Sequence, residues 1–296
     1  MNSKEALLES IQTGLSESLG AYCQLKWAKD LAGGDINQAA LVVGGGQKWF
    51  VKYHTDAPPG MFEAEAQALK EIADSGCIRV PTAIAQGDVN DTAWLVLEHL
   101  ELVQGGNAAL LGEQLAALHN VPRDYFGWSI DNYIGSTPQQ NRAHDDWTDF
   151  WRDCRLRPQL ALAKRAGFSN RLNDRGERLL ASLEQLLQGH QPAASLLHGD
   201  LWAGNKAFTS GGLPVIFDPA SYYGDRETDI AMTELFGGFD PAFYSAYSAN
   251  SPLSDGYPIR RDLYNLYHLL NHLNLFGAGY LARSEHVIDS LLAQTH

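Results

Sequence analysis

The sequence has few cysteines and fewer basic than acidic residues, and both shortages narrow what the protein can be. Cys23, Cys77 and Cys154 are an odd number without a Cys-x-x-Cys pair, which argues against a disulfide framework and indicates a reducing compartment. The 296 residues include 22 Lys and Arg against 35 Asp and Glu, so the formal net charge is −13. Because so acidic a chain repels phosphate backbones, we expect no nucleic-acid partner, and any polyphosphate site must be locally positive or metal-assisted.

Long apolar runs are also missing. No run approaches the roughly 18 apolar residues of a membrane helix, and Glu5 and Glu9 interrupt the apolar N-terminal stretch that a signal peptide would need. We therefore expect a soluble, cytoplasmic protein that makes no membrane contact. The sequence does not set the oligomeric state, and a monomer is the default expectation.

Hydrophobic periodicity divides the chain into a strand-rich part and a helix-rich part. The first part has predicted helices over 3–19 and 61–74 and predicted strands over 22–29, 38–43, 48–53, 78–85 and 92–100. The second part has predicted helices over 106–119, 145–165, 171–188, 228–236 and 260–281, short strands at 195–198, 206–208 and 214–218, and loops at 131–143 and 248–259. Gln104-Gly105-Gly106 supplies a flexible joint, so we predict an N-terminal domain over 1–103 and a C-terminal domain over 104–296.

The segment LLHGDLWAGN, residues 196–205, is the strongest local signal. A short apolar run precedes Asp200, Asn205 follows it by five positions, and a second apolar run, PVIF, precedes Asp218. Phosphoryl transfer needs one carboxylate to orient the attacking hydroxyl, and a second carboxylate with an amide oxygen to hold Mg²⁺ on the phosphates. The order and spacing predict Asp200 as the catalytic residue and Asn205 and Asp218 as metal ligands. The competing interpretation is a polar turn and a helix N-cap, which is the commoner role for any one of these residues alone.

The same pattern requires a lysine on a strand of the first part and a glutamate on the next helix. Lys52 lies in WFVKY between apolar neighbours, where an ammonium needs a phosphate or carboxylate partner. On the following helix, Glu65 falls on the apolar stripe and Glu63 on the polar face. Glu65 is therefore the predicted partner of Lys52, and Glu63 a solvated charge.

Two further segments are candidates for nucleotide binding. Gly33, Gly34 and Asp35 form a glycine turn whose backbone N–H groups could approach phosphate oxygens, although such turns are usually plain hairpins. The strand LVLEHL ends the first part, and in a kinase-like arrangement backbone groups around Glu98 and Leu100 hold adenine. An ordinary edge strand would have the same residue types.

Two residues are predicted to support the site, and one pair of histidines resembles a metal site only in its spacing. His198 is expected to support the loop, and Asp229 either caps a helix or accepts backbone N–H bonds from the loop. His268 and His272 have metal-ligand spacing, but the segment HLLNH lacks the Glu that a zinc hydrolase places after its first His. Core or helix-surface histidines are the preferred interpretation.

The motifs HGDLWAGN, Asp218-Pro219 and YGDRETDIAM resemble the fructosamine kinase (ketosamine 3-kinase) family, which is related to aminoglycoside phosphotransferases. The resemblance extends over nearly the whole chain, through GGDIN, FVKY and MFEAEAQAL in the first part and FGWSIDNYIGSTPQQN and DWTDFWRDCRLRPQL in the second. A general aminoglycoside kinase is not expected to share the last two segments or Leu201-Trp202.

The resemblance implies an α+β, two-lobed protein-kinase-like fold with a strand-rich N-lobe and a helical C-lobe, using ATP and Mg²⁺. It implies phosphorylation of the 3-hydroxyl of ketosamines, either fructosamines or ribulosamines, after which the unstable 3-phosphate eliminates and frees the amine. The family role is therefore deglycation, and Trp202 is expected in the acceptor pocket.

Two other functions stay open from the sequence. One is a kinase of another small molecule, such as an aminoglycoside or a choline-like acceptor. The other is an inactive kinase-like binding protein. The sequence does not decide whether the acceptor is a free metabolite or a glycated protein.

Overall fold

The computed structural model describes residues 3–31 and 36–295. Its helices are α1 Ser3–Leu19, α2 Met61–Asp74, α3 Ala108–Leu118, α4 Trp147–Phe150, α5 Arg157–Arg165, α6 Asn170–Ala181, α7 Leu183–Leu186, α8 Glu227–Leu235, α9 Pro241–Asn250, α10 Tyr257–Phe276 and α11 Leu281–Ala293, with a π-helical segment Trp151–Leu156 and 3₁₀ turns Ala203–Asn205 and Ala278–Tyr280. Its strands are β1 Lys26–Leu31, β2 Gln38–Gly44, β3 Gln47–Thr55, β4 Ala83–Val89, β5 Thr92–Glu98, β6 Leu102–Val103, β7 Pro122–Arg123, β8 Asn132–Ile134, β9 Thr137–Gln139, β10 Ala194–Leu196, β11 Lys206–Thr209, β12 Pro214–Ile216 and β13 Tyr223–Gly224.

An antiparallel sheet in the order β1-β2-β3-β5-β4 is the main feature of the first part of the chain. On α1, Ile11 and Leu15 lie four residues apart and are fully buried in one core cluster with Val51 and Val96 of the sheet. Burial of an aliphatic side chain of this size contributes about 1.5–3 kcal/mol. The predicted helices over 3–19 and 61–74 are confirmed with the same bounds.

The second part is mainly helical, as predicted, but it differs from the prediction in several details. The predicted helix over 145–165 contains a π-helical segment, and the predicted loop 131–143 contains the β8-β9 hairpin. Helices α9 and α11 were not predicted: α9 buries only Phe243 and Tyr247, which gives too weak an apolar period to recognise. Among the described helices, none has both the length and the apolar character required to cross a membrane.

The described chain divides into two units whose bounds differ from the predicted domains. The first unit comprises residues 1–106 together with 207–217, and the second comprises 107–206 and 218–296. The segment 207–217 belongs to the first unit because β11 pairs with β6 and the Ile216 N–H donates to the Arg79 carbonyl oxygen.

Candidate active site

The His-Gly-Asp sequence follows a short buried strand of the second unit. β10 ends two residues before His198, and the chain then turns at Gly199, whose φ of 84° is left-handed. A Cβ on this residue would lie 2.1 Å from the Ala220 carbonyl oxygen, so glycine is required. The Ala220 N–H donates to the His198 carbonyl oxygen at 2.9 Å. The loop of residues 198–205 is thereby fixed against the segment that follows Asp218.

Asn205 closes this 198–205 loop from within. Its side-chain Nδ2 donates to the backbone carbonyl oxygen of Asp200 at 2.8 Å and to the Asp200 Oδ2 at 3.3 Å. Its backbone N–H donates to the Trp202 carbonyl oxygen at 3.0 Å. Because the amide nitrogen is engaged inside the loop, Oδ1 is the atom that Asn205 can offer to a cation.

Asp218 contributes a second carboxylate beside Asp200. It is exposed at the end of the buried strand β12 and has a left-handed φ of 59°, which is rare for a residue with a side chain. Burial first, and then the negative charge of Asp218, raise the pKa of Asp200 to about 7. We call Asp200, Asn205 and Asp218 the acidic centre.

The donor set of the acidic centre fits a magnesium ion. Carboxylate and amide oxygens are hard ligands of the kind that Mg²⁺ prefers. A divalent cation would also offset the repulsion that raises the pKa of Asp200. Asn205 and Asp218 would hold the ion, which leaves Asp200 for the acceptor hydroxyl.

Asp229 supports the 198–205 loop through backbone bonds. Its Oδ2 accepts the His198 N–H at 2.7 Å, and its Oδ1 accepts the Gly199 N–H at 2.8 Å. Burial alone would raise the pKa of Asp229, but the hydrogen bonds from His119 and from the Gly199 N–H hold it below its usual value. Of the two predicted roles, loop support is confirmed and the N-cap role is wrong: α8 begins at Glu227, so Asp229 lies inside its first turn.

His198 is buried and takes part in the same loop. Its Nδ1 accepts the Asp200 N–H at 3.2 Å, so the ring supports the backbone at Asp200. This contact agrees with the predicted supporting role.

Lys52 and Glu65 form a buried ion pair in the first unit. The Lys52 Nζ donates to both carboxylate oxygens of Glu65, at 2.7 and 2.8 Å. Only 5% of Lys52 and 9% of Glu65 is exposed, whereas Glu63 is exposed on the other face of α2. The choice of Glu65 over Glu63, which rested on helical periodicity alone, is confirmed as an ion pair.

The other predicted nucleotide contacts are described only in part. Gly33, Gly34 and Asp35 lie outside the described residues. The Glu98 N–H donates to the Thr82 carbonyl oxygen at 2.9 Å, and the Glu98 carboxylate accepts bonds from Arg79 and Thr82. The N–H and the carboxylate of Glu98 are therefore engaged within its own unit, and the predicted adenine contacts of Glu98 and Leu100 stay a prediction.

Trp202 differs from the rest of the 198–205 loop in its exposure. Its side chain is 41% exposed, although the preceding Leu201 is fully buried. The indole covers Gly204, where a Cβ would lie 2.2 Å from the ring. A large aromatic surface two residues from Asp200 is thus exposed to solvent, and its predicted place in an acceptor pocket stays a prediction.

His268 and His272 are not among the groups of described residues whose ligand atoms lie close enough together to hold a metal ion. His268 is buried, burial lowers its pKa to about 3, and its carbonyl oxygen lies 2.8 Å from the His272 Nδ1. Among the described residues, the group whose ligand atoms are close enough for a metal is instead His190, Asp225 and Glu227. Arg260 already binds both Glu227 oxygens there, at 2.6 and 2.9 Å.

His119, which also hydrogen-bonds Asp229, was not predicted from the sequence. The ring is buried at the C-terminal end of α3, and its Nε2 lies 3.1 Å from the Asp229 Oδ2. No motif surrounds it in the sequence. A buried polar residue ending an apolar helix, LLGEQLAALH, was the signal available.

The chain is similar to known sugar-amine kinases over nearly its whole length. The fructosamine kinase family model matches residues 7–294. A relative from Synechocystis sp., named a probable ketoamine kinase, is 44% identical over 287 residues, which are 96% of each chain. The chloroplastic protein-ribulosamine 3-kinase of Oryza sativa subsp. japonica is 38% identical over 277 residues, which are 92% of this chain and 81% of the relative.

Solved structures show the same similarity. The crystal structure of a candidate fructosamine-3-kinase from Haemophilus somnus has a TM-score of 0.90 at 31% identity, covering 98% of this chain and 99% of the other. A thermostable mutant of the aminoglycoside phosphotransferase APH(4)-Ia, in ternary complex with ADP and hygromycin B, has a TM-score of 0.62 at 14% identity, covering 96% and 98%. The predicted kinase-like fold, with a strand-rich and a helical lobe, is confirmed, and the chain belongs to the fructosamine kinase family.

Proposed function

We propose that the protein is an ATP-dependent kinase that phosphorylates the 3-hydroxyl of ketosamines, fructosamines or ribulosamines. The observation that carries this proposal is the acidic centre: Asp200 with a raised pKa, an amide that closes its loop, and a second carboxylate beside it. Membership of the fructosamine kinase family and a relative named as a protein-ribulosamine 3-kinase support the substrate class.

In this mechanism Asp200 orients the acceptor hydroxyl and takes its proton. The Asp200 Oδ2 is bonded to Asn205, so Oδ1 is the atom proposed to face the hydroxyl. Burial raises the pKa of the Asp200 carboxyl above its ordinary value, which strengthens it as a base. The hydroxyl oxygen attacks the γ-phosphorus, the bond to the β-γ bridging oxygen breaks, and ADP leaves.

Positive charge for the phosphates comes from two sources in the proposal. Asn205 and Asp218 would hold Mg²⁺, which would neutralise phosphate charge when bound. Lys52 is fixed in place by Glu65 and donates charge-assisted bonds to phosphate oxygens. Gly33, Gly34 and Asp35 are proposed near the triphosphate, and Glu98 and Leu100 near the adenine.

The acceptor side is proposed to include Trp202. A ketosamine carries a protonated secondary amine, which suits an acidic chain and an exposed indole face. The ketosamine 3-phosphate then eliminates inorganic phosphate, and water hydrolyses the remaining imine to the free amine and a 3-deoxy dicarbonyl sugar, which amounts to deglycation. The free cysteines Cys23, Cys77 and Cys154 agree with a reducing cytoplasm as the site of action.

An acceptor panel tests the proposal. Purified protein with MgATP is given ribulose-lysine, fructose-lysine, an aminoglycoside or choline, and ADP formation is followed in a coupled assay. Asp200→Asn serves as the matched control for contaminating kinases. We expect ADP formation that depends on a ketosamine and is lost in the control.

Two outcomes would contradict the proposal. Turnover with the aminoglycoside or choline, and none with either ketosamine, would assign the protein to another small-molecule kinase. Binding of MgATP without turnover of any acceptor would make it an inactive kinase-like binding protein.

A further inference from the structure

A buried chain of hydrogen bonds extends from Asp229 away from the 198–205 loop. The His119 Nε2 lies 3.1 Å from the Asp229 Oδ2, and the His119 Nδ1 lies 2.8 Å from the Tyr247 hydroxyl. The Arg226 Nη1 donates to the same hydroxyl at 2.9 Å. The His119 side chain is fully buried and Asp229 is 1% exposed, so neither exchanges these partners for water.

The donors and acceptors present fix the direction of each of these hydrogen bonds. Arg226 can only donate, so the Tyr247 oxygen accepts from it. Among the described residues the other partner of this hydroxyl is the His119 Nδ1, and the buried O–H proton finds an acceptor there only when that nitrogen carries no proton of its own. Burial raises the pKa of Tyr247, so the phenol keeps that proton. His119 must then carry its proton on Nε2, where it donates to Asp229. The carboxylate of Asp229 therefore accepts three N–H donors, one from a ring and two from the loop backbone.

Close packing of two helices brings the partners together. On α3, a Cβ at Gly112 would lie 2.3 Å from the Phe243 carbonyl oxygen and 2.9 Å from the Tyr247 amide nitrogen of α9. The missing side chain lets α9 approach α3 at its backbone. Since α3 ends at His119 and α9 carries Tyr247, this approach sets the distance of their hydrogen bond.

We propose that His119, held in one tautomer by Tyr247, is a positioning residue that orients the Asp229 carboxylate and through it the backbone of His198 and Gly199, which carries Asp200. The inference rests on the proposed function only for its kinetic readout. The hydrogen bonds on which it depends lie entirely within the second unit. Neither His119 nor Tyr247 touches substrate in this scheme, so their loss affects turnover through geometry alone.

Three variants test the tautomer argument. His119→Leu removes the donor to Asp229, and His119→Gln restores an N–H at about the place of Nε2. Tyr247→Phe removes the hydroxyl that fixes the ring, while Arg226, which also donates to that hydroxyl, keeps its bonds to the Ser251 and Pro252 carbonyl oxygens; Tyr244→Phe is the matched control. Tyr244 lies one turn earlier on α9 and bonds Thr233 instead, at 3.1 Å.

We expect kcat to fall by about 10- to 100-fold in His119→Leu, because a buried charged acceptor loses one hydrogen bond. His119→Gln should recover most of that loss, Tyr247→Phe should fall by about 3- to 10-fold, and Tyr244→Phe should match the wild type. The affinity for MgATP should stay unchanged throughout, since none of these residues lies in the acidic centre.

A readout that does not need activity separates this inference from the proposed function. Amide hydrogen exchange measured by NMR should quicken at His198 and Gly199 in His119→Leu and Tyr247→Phe, and stay slow in Tyr244→Phe and His119→Gln. Equal exchange in Tyr247→Phe and Tyr244→Phe, or a His119→Gln protein as impaired as His119→Leu, would overturn the inference. A wild-type protein without ketosamine turnover would contradict the proposed function and leave the exchange result decisive for the positioning role.

Discussion

The two units differ in how their functional charged residues are grouped: opposite charges are paired in the first unit, and carboxylates lie together in the second. In the first unit, Lys52 and Glu65 are buried together and neutralise each other at 2.7 Å. In the second unit, Asp200, Asp218 and Asp229 bring carboxylates together, and the nearest support for Asp229 comes from N–H donors. In the first arrangement opposite charges meet, whereas in the second the like charge of Asp218 helps to raise the pKa of Asp200. We therefore expect the ion pair to contribute to stability, and the acidic centre to respond to a cation.

The largest effect is expected from Asp200→Asn, which keeps the shape of the acidic centre and removes its base. A general base contributes about 10²- to 10⁴-fold, so kcat should fall on that scale while ATP still binds. Initial rates with ribulose-lysine and calorimetry with MgATP measure the two quantities. Wild-type turnover in this variant would show that Asp200 has another role.

A smaller effect is expected when the ion pair is broken in the first unit. Lys52→Met removes the cation that is paired with the buried Glu65, which costs about 3–5 kcal/mol of stability, and lowers kcat or raises the KM for ATP by about 10- to 100-fold. Thermal unfolding and steady-state kinetics measure both.

The double variant Lys52→Met with Glu65→Met separates the two causes. Stability should return because no unpaired charge remains buried, but activity should not. An active double variant would make the pair purely structural.

Substitution of two glycines that have positive φ tests whether the close contact between Gly199 and Ala220 holds the 198–205 loop. Gly199→Ala and Gly189→Ala share a positive φ, which costs about 1–2 kcal/mol, but only Gly199 has a backbone atom, the Ala220 oxygen, in the space of a Cβ. Gly199→Ala should therefore lose about 1–3 kcal/mol more and most of its turnover. Equal unfolding free energies, measured in urea, would argue against the close contact.

The smallest effect concerns the charge of Asp218. Since Asp200 must be ionised to accept a proton, kcat/KM should fall as the pH falls and the carboxyl is protonated, and it should do so below the pH at which the metal-free carboxyl titrates, because bound Mg²⁺ stabilises the carboxylate. Asp218→Asn removes a like charge, so the Asp200 carboxyl should titrate at lower pH than in the wild type. A ¹³C NMR titration of the metal-free protein measures this shift directly, and an unchanged midpoint would show that the two carboxylates do not interact.

The sequence predicted those parts of the site that repeat a local pattern. Helical periodicity was sufficient to choose Glu65 over Glu63, because one face of α2 is apolar. The five-residue spacing from Asp200 to Asn205 reflects the closed loop that the Asn205 amide makes. The helices α1 and α2 were predicted for the same reason: their apolar residues recur every three or four positions.

What the sequence did not predict depends on contacts between distant segments. His119 and Tyr247 are 128 positions apart, and neither stands in a motif. Helix α9 is held against α3 through the missing side chain of Gly112, a contact that no periodicity reveals. The position of Asp229 inside α8 was also missed, because the helix begins at Glu227 in a run of polar residues.

Binding of Mn²⁺ tests most directly whether the acidic centre holds a divalent cation on a triphosphate. Electron paramagnetic resonance with Mn²⁺ and a non-hydrolysable ATP analogue compares the wild type with Asp218→Ala and Asn205→Ala. We expect a bound-Mn²⁺ signal in the wild type and an affinity for Mn²⁺ at least about tenfold lower in each variant, with metal-free nucleotide binding unchanged. Equal Mn²⁺ affinity in all three proteins would contradict it.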